Sequence, residues 1–358
     1  MIQLSVPTIT QEMKEKVLEI LDSGRFIKGP NVAAFEAKFS RYCGAGYGVS
    51  ANSGTSAIFM ALKALYIGKG DEVIVPSHTF VASATPILMV GAKPVFVDIG
   101  DDYLMDVNDV KSKITSRTKA VICVHLYGEM CDMAKLLQLK EKFGFALVED
   151  CCQAHGAEYD GKKAGSFGEA GCFSFFPSKN MTVAGDGGMA VTSDKKLCNT
   201  MKMLRDHGRD YGTKEGKYIS TILGYNFRMS ELSAALGRCQ LKYIEQWSQK
   251  RRNIAEMYNE SLTDKVIKPQ AGDRRKHVYH LYVIRTGKRD ELKEHLHRND
   301  IETGIHYPVP VHRQPIFEDS RLPVTEKICD EILSLPIYPL LSDDQVSEVI
   351  DTINDFFE

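Results

Sequence analysis

Tryptophan is almost missing from this chain of 358 residues, which has only one. An excess of charge of either sign is missing too. The 45 Lys and Arg nearly balance 47 Asp and Glu, for a net charge of −2, so nothing recommends nucleic acid or an anionic membrane as a partner. The basic clusters Lys250-Arg251-Arg252 and Arg274-Arg275-Lys276-His277 are short and read as solvated surface. No apolar run approaches the ~20 residues that cross a bilayer. The opening Met1-Ile2-Gln3-Leu4-Ser5 lacks the basic-then-apolar order of a secretory signal. Nine cysteines are present, an odd number with no C-x-x-C pair. That argues against a disulfide frame or a zinc site and for a reducing compartment. A cytoplasmic location and no metal are expected. There is no internal repeat and no low-complexity tract.

What is present is a globular composition, 43% hydrophobic and 26% charged. The length suits a large domain with a smaller appendage. Between residues 50 and 195, short apolar runs alternate with helical patterns. Strands are expected at Glu72–Val75, Pro94–Asp98, Ala120–His125, Ala146–Glu149, Cys172–Phe176 and Met189–Thr192. Helices are expected at Thr55–Leu65 and Met133–Phe143. Strands separated by helices predict an α/β fold with a largely parallel sheet covered on both faces. Its ligand belongs beyond the carboxyl ends of the strands. After residue 228 the texture changes. One or two long helices over Met229–Leu262 precede a polar break at Asp264–Lys276. A strand (Tyr279–Arg285), a helix (Asp290–Arg298), a Pro-rich loop (His306–Pro315) and a last helix (Asp343–Phe357) then predict a smaller α+β domain. The division is placed between 245 and 246.

The segment Cys172-Phe173-Ser174-Phe175-Phe176-Pro177-Ser178-Lys179 delivers a lysine directly after a buried run. Pro177 has no N–H for a ladder and should end the strand. A lysine held there loses hydration, which favours its neutral amine. A neutral amine is what a Schiff base to an aldehyde cofactor requires. A solvated surface lysine is the bland alternative.

A pyridoxal phosphate site also needs an acid for the pyridine nitrogen, donors for the phosphate and a flat side chain for the ring. The apolar run Phe145–Val148 ends in Glu149 and Asp150, which alternation sends to opposite faces, so one of them can point at a ligand. Asn52-Ser53-Gly54-Thr55-Ser56 precedes a helix and suits either a phosphate or an ordinary N-cap. Ser174 offers another hydroxyl, and Phe80 either stacks on a ring or belongs to the core.

The order of these parts resembles the fold-type I pyridoxal phosphate enzymes, and more narrowly the DegT/DnrJ/EryC1/StrS sugar aminotransferase family. The matching segments span nearly the whole chain. They are Gly29-Pro30 with Phe35-Glu36, Ser53–Ala57, Gly70–Pro76, Thr79-Phe80, Glu149–Gly156, the lysine segment through Gly185–Gly188, Gly224–Met229 and His306-Tyr307-Pro308. The resemblance implies that Lys179 holds the cofactor and shuttles the proton, and that Asp150 faces the pyridine nitrogen. It puts Gln153 near the ring hydroxyl and Phe80 on the ring. It makes Gly54, Thr55 and Ser174 phosphate contacts. It brings Asn226 over from a neighbouring subunit, which implies a homodimer with shared sites. Arg228 and His306 border the substrate by the same resemblance. The implied reaction moves an amino group, from glutamate, to a nucleotide-linked keto-sugar. Relatives with histidine in place of Lys179 dehydrate instead. The segment Ile301–His312 is more similar to members that aminate the 3-position than the 4-position. Cys151, Cys152 and Met181 depart mildly from the family pattern.

Three other readings compete. A lyase or dehydratase would share the scaffold. A cofactor-binding regulator would need a partner module, and no basic helix-turn-helix is evident. A nicotinamide enzyme would need G-x-G-x-x-G after a strand, which Gly44, Gly46 and Gly48 do not supply.

Overall fold

A computed structural model describes residues 1–210, 212, 216, 218–318 and 320–358. Its strands in chain order are β1 (Tyr47–Ala51), β2 (Glu72–Pro76), β3 (Lys93–Val97), β4 (Thr118–Val124), β5 (Ala146–Asp150), β6 (Glu158–Tyr159), β7 (Lys162–Lys163), β8 (Ala170–Ser174), β9 (Gly188–Thr192), β10 (Arg275–Lys276), β11 (Tyr282–Arg285) and β12 (Ile332–Leu335). Seven of them form the central sheet in the order β1-β9-β8-β5-β4-β2-β3. Only β9 runs against its neighbours; β8, β5, β4, β2 and β3 pair in parallel. Residues such as Val73, Ile74, Val121, Ile122, Leu147 and Val148 are fully buried. A continuous apolar strand of this kind suits a sheet sandwiched between helices.

The helix Gly54–Ala64 packs on β8 and β9 and starts where the site begins. Ser53 caps it, its hydroxyl accepting from the Ser56 amide at 3.1 Å. The helix Met133–Phe143 has Asp132 as its N-cap and ends on Gly144 at φ 74°, the left-handed conformation that glycine adopts without strain. Ser342 and Gln345 close a reciprocal capping box on the last helix, Asp343–Phe357.

The core divides. One apolar cluster runs through the central sheet. A second gathers Ile254, Tyr258, Tyr282, Leu292, Leu296, Leu333, Leu335, Val346 and Ile353 around the pair β11–β12. The 245/246 division falls inside the continuous helix Ile244–Ser261. Along it, Ile244 belongs to the first cluster and Ile254 to the second. No helix among the described residues is long and apolar enough to cross a membrane.

Among the differences from the sequence expectation are four strands. β8 stops at Ser174, not at Pro177, because its partner β9 begins at Gly188, which pairs with Ser174. Phe176 consequently leaves the sheet and is exposed. β1 was not foreseen because Gly46 and Gly48 dilute its pattern. Gly48 is required there, since a Cβ would meet the Glu36 carbonyl oxygen at 2.6 Å. β11 starts at Tyr282, not Tyr279, because Val278 and Leu281 donate their amides to the Gly128 and Tyr127 carbonyls instead. β12 follows the helix Pro323–Glu331 without a break, and its four residues carry no separate signal.

Candidate active site

A cavity of about 440 Å³ opens at the carboxyl ends of β4, β5 and β8. Its walls come from distant parts of the chain: Ser53, Gly54 and Thr55; Thr79, Phe80 and Ser83; Asp150, Cys152 and Gln153; Ser174 and Lys179; His306 and Tyr307. Of the residues singled out in the sequence, Gly54, Thr55, Phe80, Asp150, Gln153, Ser174, Lys179 and His306 are brought together here. Asn226 and Arg228 are not. Asn226 is exposed and bridges to Asp206 through its backbone. The Arg228 guanidinium is turned to the buried Asp206 carboxylate at 2.6 Å, so within one protomer it does not border this cavity.

Lys179 sits in a turn, its amide donating to the Phe176 carbonyl at 2.9 Å. Loss of hydration holds its ammonium below the ordinary lysine range, against the opposing pull of Asp150. A fraction of neutral amine is thereby available for attack on a carbonyl.

Alternation at the end of β5 separates the two acids. Glu149 turns away from the cavity and is fully buried. Its carboxylate accepts from the amides of Gly165, Phe167 and Gly168 at 2.8–2.9 Å and lies 3.1 Å from His125 Nε2. His125 Nδ1 accepts from the Cys131 amide at 3.2 Å, which leaves the ring proton on Nε2, facing Glu149. With Cys151, these groups come as close as metal ligands do. The carboxylate is nevertheless saturated by protein donors and serves as an internal anchor for the loop 165–168. Asp150 faces the cavity. It accepts from Ser83 Oγ at 2.6 Å and from the Cys152 amide at 3.1 Å, and keeps acceptor capacity for a ligand.

The opposite wall is aromatic. Phe80 is half exposed and its ring centroid lies 5.6 Å from that of Tyr307. Gln153 ties this wall down. It accepts from the Tyr127 amide at 2.8 Å and donates to the Tyr307 hydroxyl at 3.0 Å. Tyr127 in turn donates its hydroxyl to the His306 carbonyl. His306 Nδ1 meets Ser334 Oγ at 2.8 Å, and burial, aided by Lys179, lowers its pKa to about 4. It is neutral at physiological pH. His155 lies outside the cavity, among the rings of Phe39, Phe173 and Phe175, and burial lowers its pKa to about 3.

At the cavity floor the first turn of Gly54–Ala64 presents the Gly54 and Thr55 amides, which precede the first intrahelical acceptors. A Cβ at Gly54 would meet Cys152 Sγ at 2.8 Å and Ser174 Cβ at 2.9 Å, so only glycine allows this approach. An anion fits such a turn. The floor, the aromatic wall, the acid and the desolvated amine together suit pyridoxal phosphate. Sequence reasoning missed Ser83, which carries no motif of its own, and gave Cys152 and Tyr307 no role although they lie in segments it singled out.

Comparison with known proteins agrees. The DegT/DnrJ/EryC1/StrS aminotransferase family matches residues 7–354. A "Pleiotropic regulatory protein" of Geobacillus stearothermophilus is 39% identical over 361 residues, 97% of this chain and 96% of that protein. A UDP-N-acetyl-3-dehydro-alpha-D-glucosamine 3-aminotransferase of Acidithiobacillus ferrooxidans is 41% identical over 350 residues, 96% of this chain and 94% of that one. The crystal structure of S. venezuelae DesV in complex with a ketimine intermediate superposes with a TM-score of 0.93 at 40% identity, covering 97% of this chain and 94% of DesV. Other similar structures include pyridoxal phosphate and pyridoxamine phosphate forms of a sugar aminotransferase from Streptococcus pneumoniae. The chain belongs to the DegT/DnrJ/EryC1/StrS family and is a pyridoxal-phosphate-dependent aminotransferase.

Proposed function

We propose that this aminotransferase moves an amino group from an amino acid, glutamate by family resemblance, to a keto-sugar carried on a nucleoside diphosphate, at the sugar's 3-position. The observation that carries the reading is the convergence of Lys179, Asp150, Phe80 and the Gly54–Thr55 turn on one cavity. The name of the Acidithiobacillus relative and the Ile301–His312 segment support the 3-position.

Bound pyridoxal phosphate supplies an aldehyde that exchanges amines and a pyridinium ring that accepts electron density. The residues around it do the rest. Lys179 Nζ would hold the aldehyde and, lying beside the reacting carbon, would move the proton there. Asp150, an acceptor facing the cavity, keeps the ring nitrogen protonated. Gly54, Thr55 and Ser174 would hold its phosphate, and Phe80 and Gln153 would hold its ring. His306 is a neutral group on the substrate side.

Two wider statements belong to the same proposal. The portion 1–245 is the cofactor-binding domain and 246–358 a smaller one, supported by the second apolar cluster. The active unit is a homodimer in which Asn226 completes the neighbour's phosphate site. Its exposure, and that of Ile27 and Leu223, support this. Arg228 borders the substrate only if the same contact brings it there.

The test is incubation of the purified holoenzyme with glutamate and a panel of nucleotide 3-keto and 4-keto sugars, read by mass. Amination of a 3-keto sugar is expected. Exclusive amination of 4-keto sugars would overturn the positional assignment, and loss of water without amine gain would favour a dehydratase.

A further inference from the structure

The turn that follows β2 carries two residues toward the cavity, Phe80 and, three residues on, Ser83. Ser83 is almost completely buried, as are Thr79 and Asp150. Its amide closes the turn on the Phe80 carbonyl at 3.0 Å. Its hydroxyl donates to Asp150 Oδ2 at 2.6 Å, a short charge-assisted bond. A serine has one proton to give. The 2.7 Å contact between Thr79 Oγ1 and Ser83 Oγ is therefore one in which Thr79 donates. The result is a directed chain, Thr79 to Ser83 to Asp150, that ends on the cavity-facing carboxylate.

We propose that Ser83 is a positioning residue for Asp150, backed by Thr79, and that this hydroxyl chain keeps the Asp150 carboxylate aimed so that the cofactor's ring nitrogen retains its proton. The inference rests on the cofactor reading above. A carboxylate turns readily about its last torsion. Here one donor sits on each oxygen, Ser83 on Oδ2 and the Cys152 amide on Oδ1. Held in this orientation, the carboxylate is a fixed acceptor for a protonated ring nitrogen. The other ionisable groups facing Asp150 do not substitute for Ser83. Burial keeps the Tyr307 phenol and the Cys152 thiol protonated, and Lys179 is committed to the aldehyde. Without the Ser83 hydroxyl, Oδ2 is a buried acceptor with no donor among the described residues, the carboxylate is free to turn, and the ring nitrogen loses its fixed acceptor.

The test uses holoenzyme loaded with cofactor labelled with 15N in the ring, comparing wild type with Ser83→Ala, Ser83→Thr and Thr79→Val. In Ser83→Ala the 15N resonance moves toward that of a neutral pyridine. The single-turnover rate with glutamate falls by about tenfold or more, while the glutamate concentration for half-saturation changes little. Ser83→Thr restores both readouts, and Thr79→Val shifts the resonance in the same direction by less. A wild-type resonance and rate in Ser83→Ala, or a Ser83→Thr enzyme as impaired as the alanine variant, would overturn the proposal. If Ser83→Ala does not fold, Thr79→Val decides: a shift of the stated sign supports the chain, and an unmoved resonance refutes it. Wild-type protein that never acquires the cofactor absorbance defeats the cofactor reading itself, which keeps the two failures apart.

Discussion

Glu149 and Asp150 are neighbours in sequence and opposites in environment. One lies behind the central sheet, where three amides and a histidine use up its acceptor capacity. The other lies at the mouth, with two donors and room for a third partner. A buried carboxylate with every lone pair matched holds the fold together. One left partly unmatched and facing a cavity is held for a ligand. The difference between anchoring and chemistry is thus set by one step of strand alternation.

The comparison can be broken at either end. The largest effect is expected at Lys179, which completes the cavity side. Lys179→Ala should abolish turnover and the absorbance of bound cofactor while leaving the melting temperature of the apoprotein near wild type. Turnover in the purified variant would refute the assignment. Asp150→Ala comes next and should lower kcat roughly a hundredfold or more, the scale for losing one preorganised charge at a reacting group. Its stability should change far less. Glu149→Ala should do the reverse. It leaves three amides, one of them buried, and the buried His125 without their acceptor and should cost about 3–5 kcal/mol of stability, read by denaturant melts. Activity per folded molecule should survive. If Glu149→Ala were stable but inactive, the contrast between the two acids would collapse.

A pH experiment sharpens the same contrast. The lysine's folded pKa lies below the ordinary value of 10.5 because burial penalises its charge. Its reactive neutral form therefore increases as pH rises through a midpoint below 10.5. Reconstitution of the apoprotein with pyridoxal phosphate, followed by absorbance, should speed up across that midpoint. A midpoint at the ordinary value would contradict the desolvated setting. The smallest effect is expected at His306. Its pKa of about 4 keeps it neutral from pH 5 upward, so His306→Gln should raise KM for the sugar several-fold, the loss of about one hydrogen bond, without altering the pH profile.

The sheet was legible in the sequence where its strands are continuous apolar runs, as in β2, β4 and β5. It was not legible in β1, where a glycine demanded by close packing, Gly48, interrupts the pattern, or in β12, which is fused to a helix. In the cavity, residues delivered by strand ends were legible in part: the apolar run marked the pair Glu149 and Asp150 without choosing between them, and the aromatic segment and proline marked Lys179. Ser83 was not legible, because a serine in a short turn has no periodicity and gains meaning only from the carboxylate that lies 67 positions away in the chain. Arg228 is a related case. Its segment is characteristic, but its partner within the protomer is Asp206, which no local pattern could reveal.

The bond between Gln153 and Tyr307 joins residues 154 positions apart. It has a consequence for synthesis on the ribosome. A nascent chain that has emerged only as far as Thr303 already contains the lysine, the acid and the glycine floor, yet its pocket lacks a wall. Cofactor capture should therefore be a late event, following release of most of the polypeptide. Stalled chains of increasing length, probed with pyridoxal phosphate, should begin to retain it only once His306 and Tyr307 have cleared the exit tunnel.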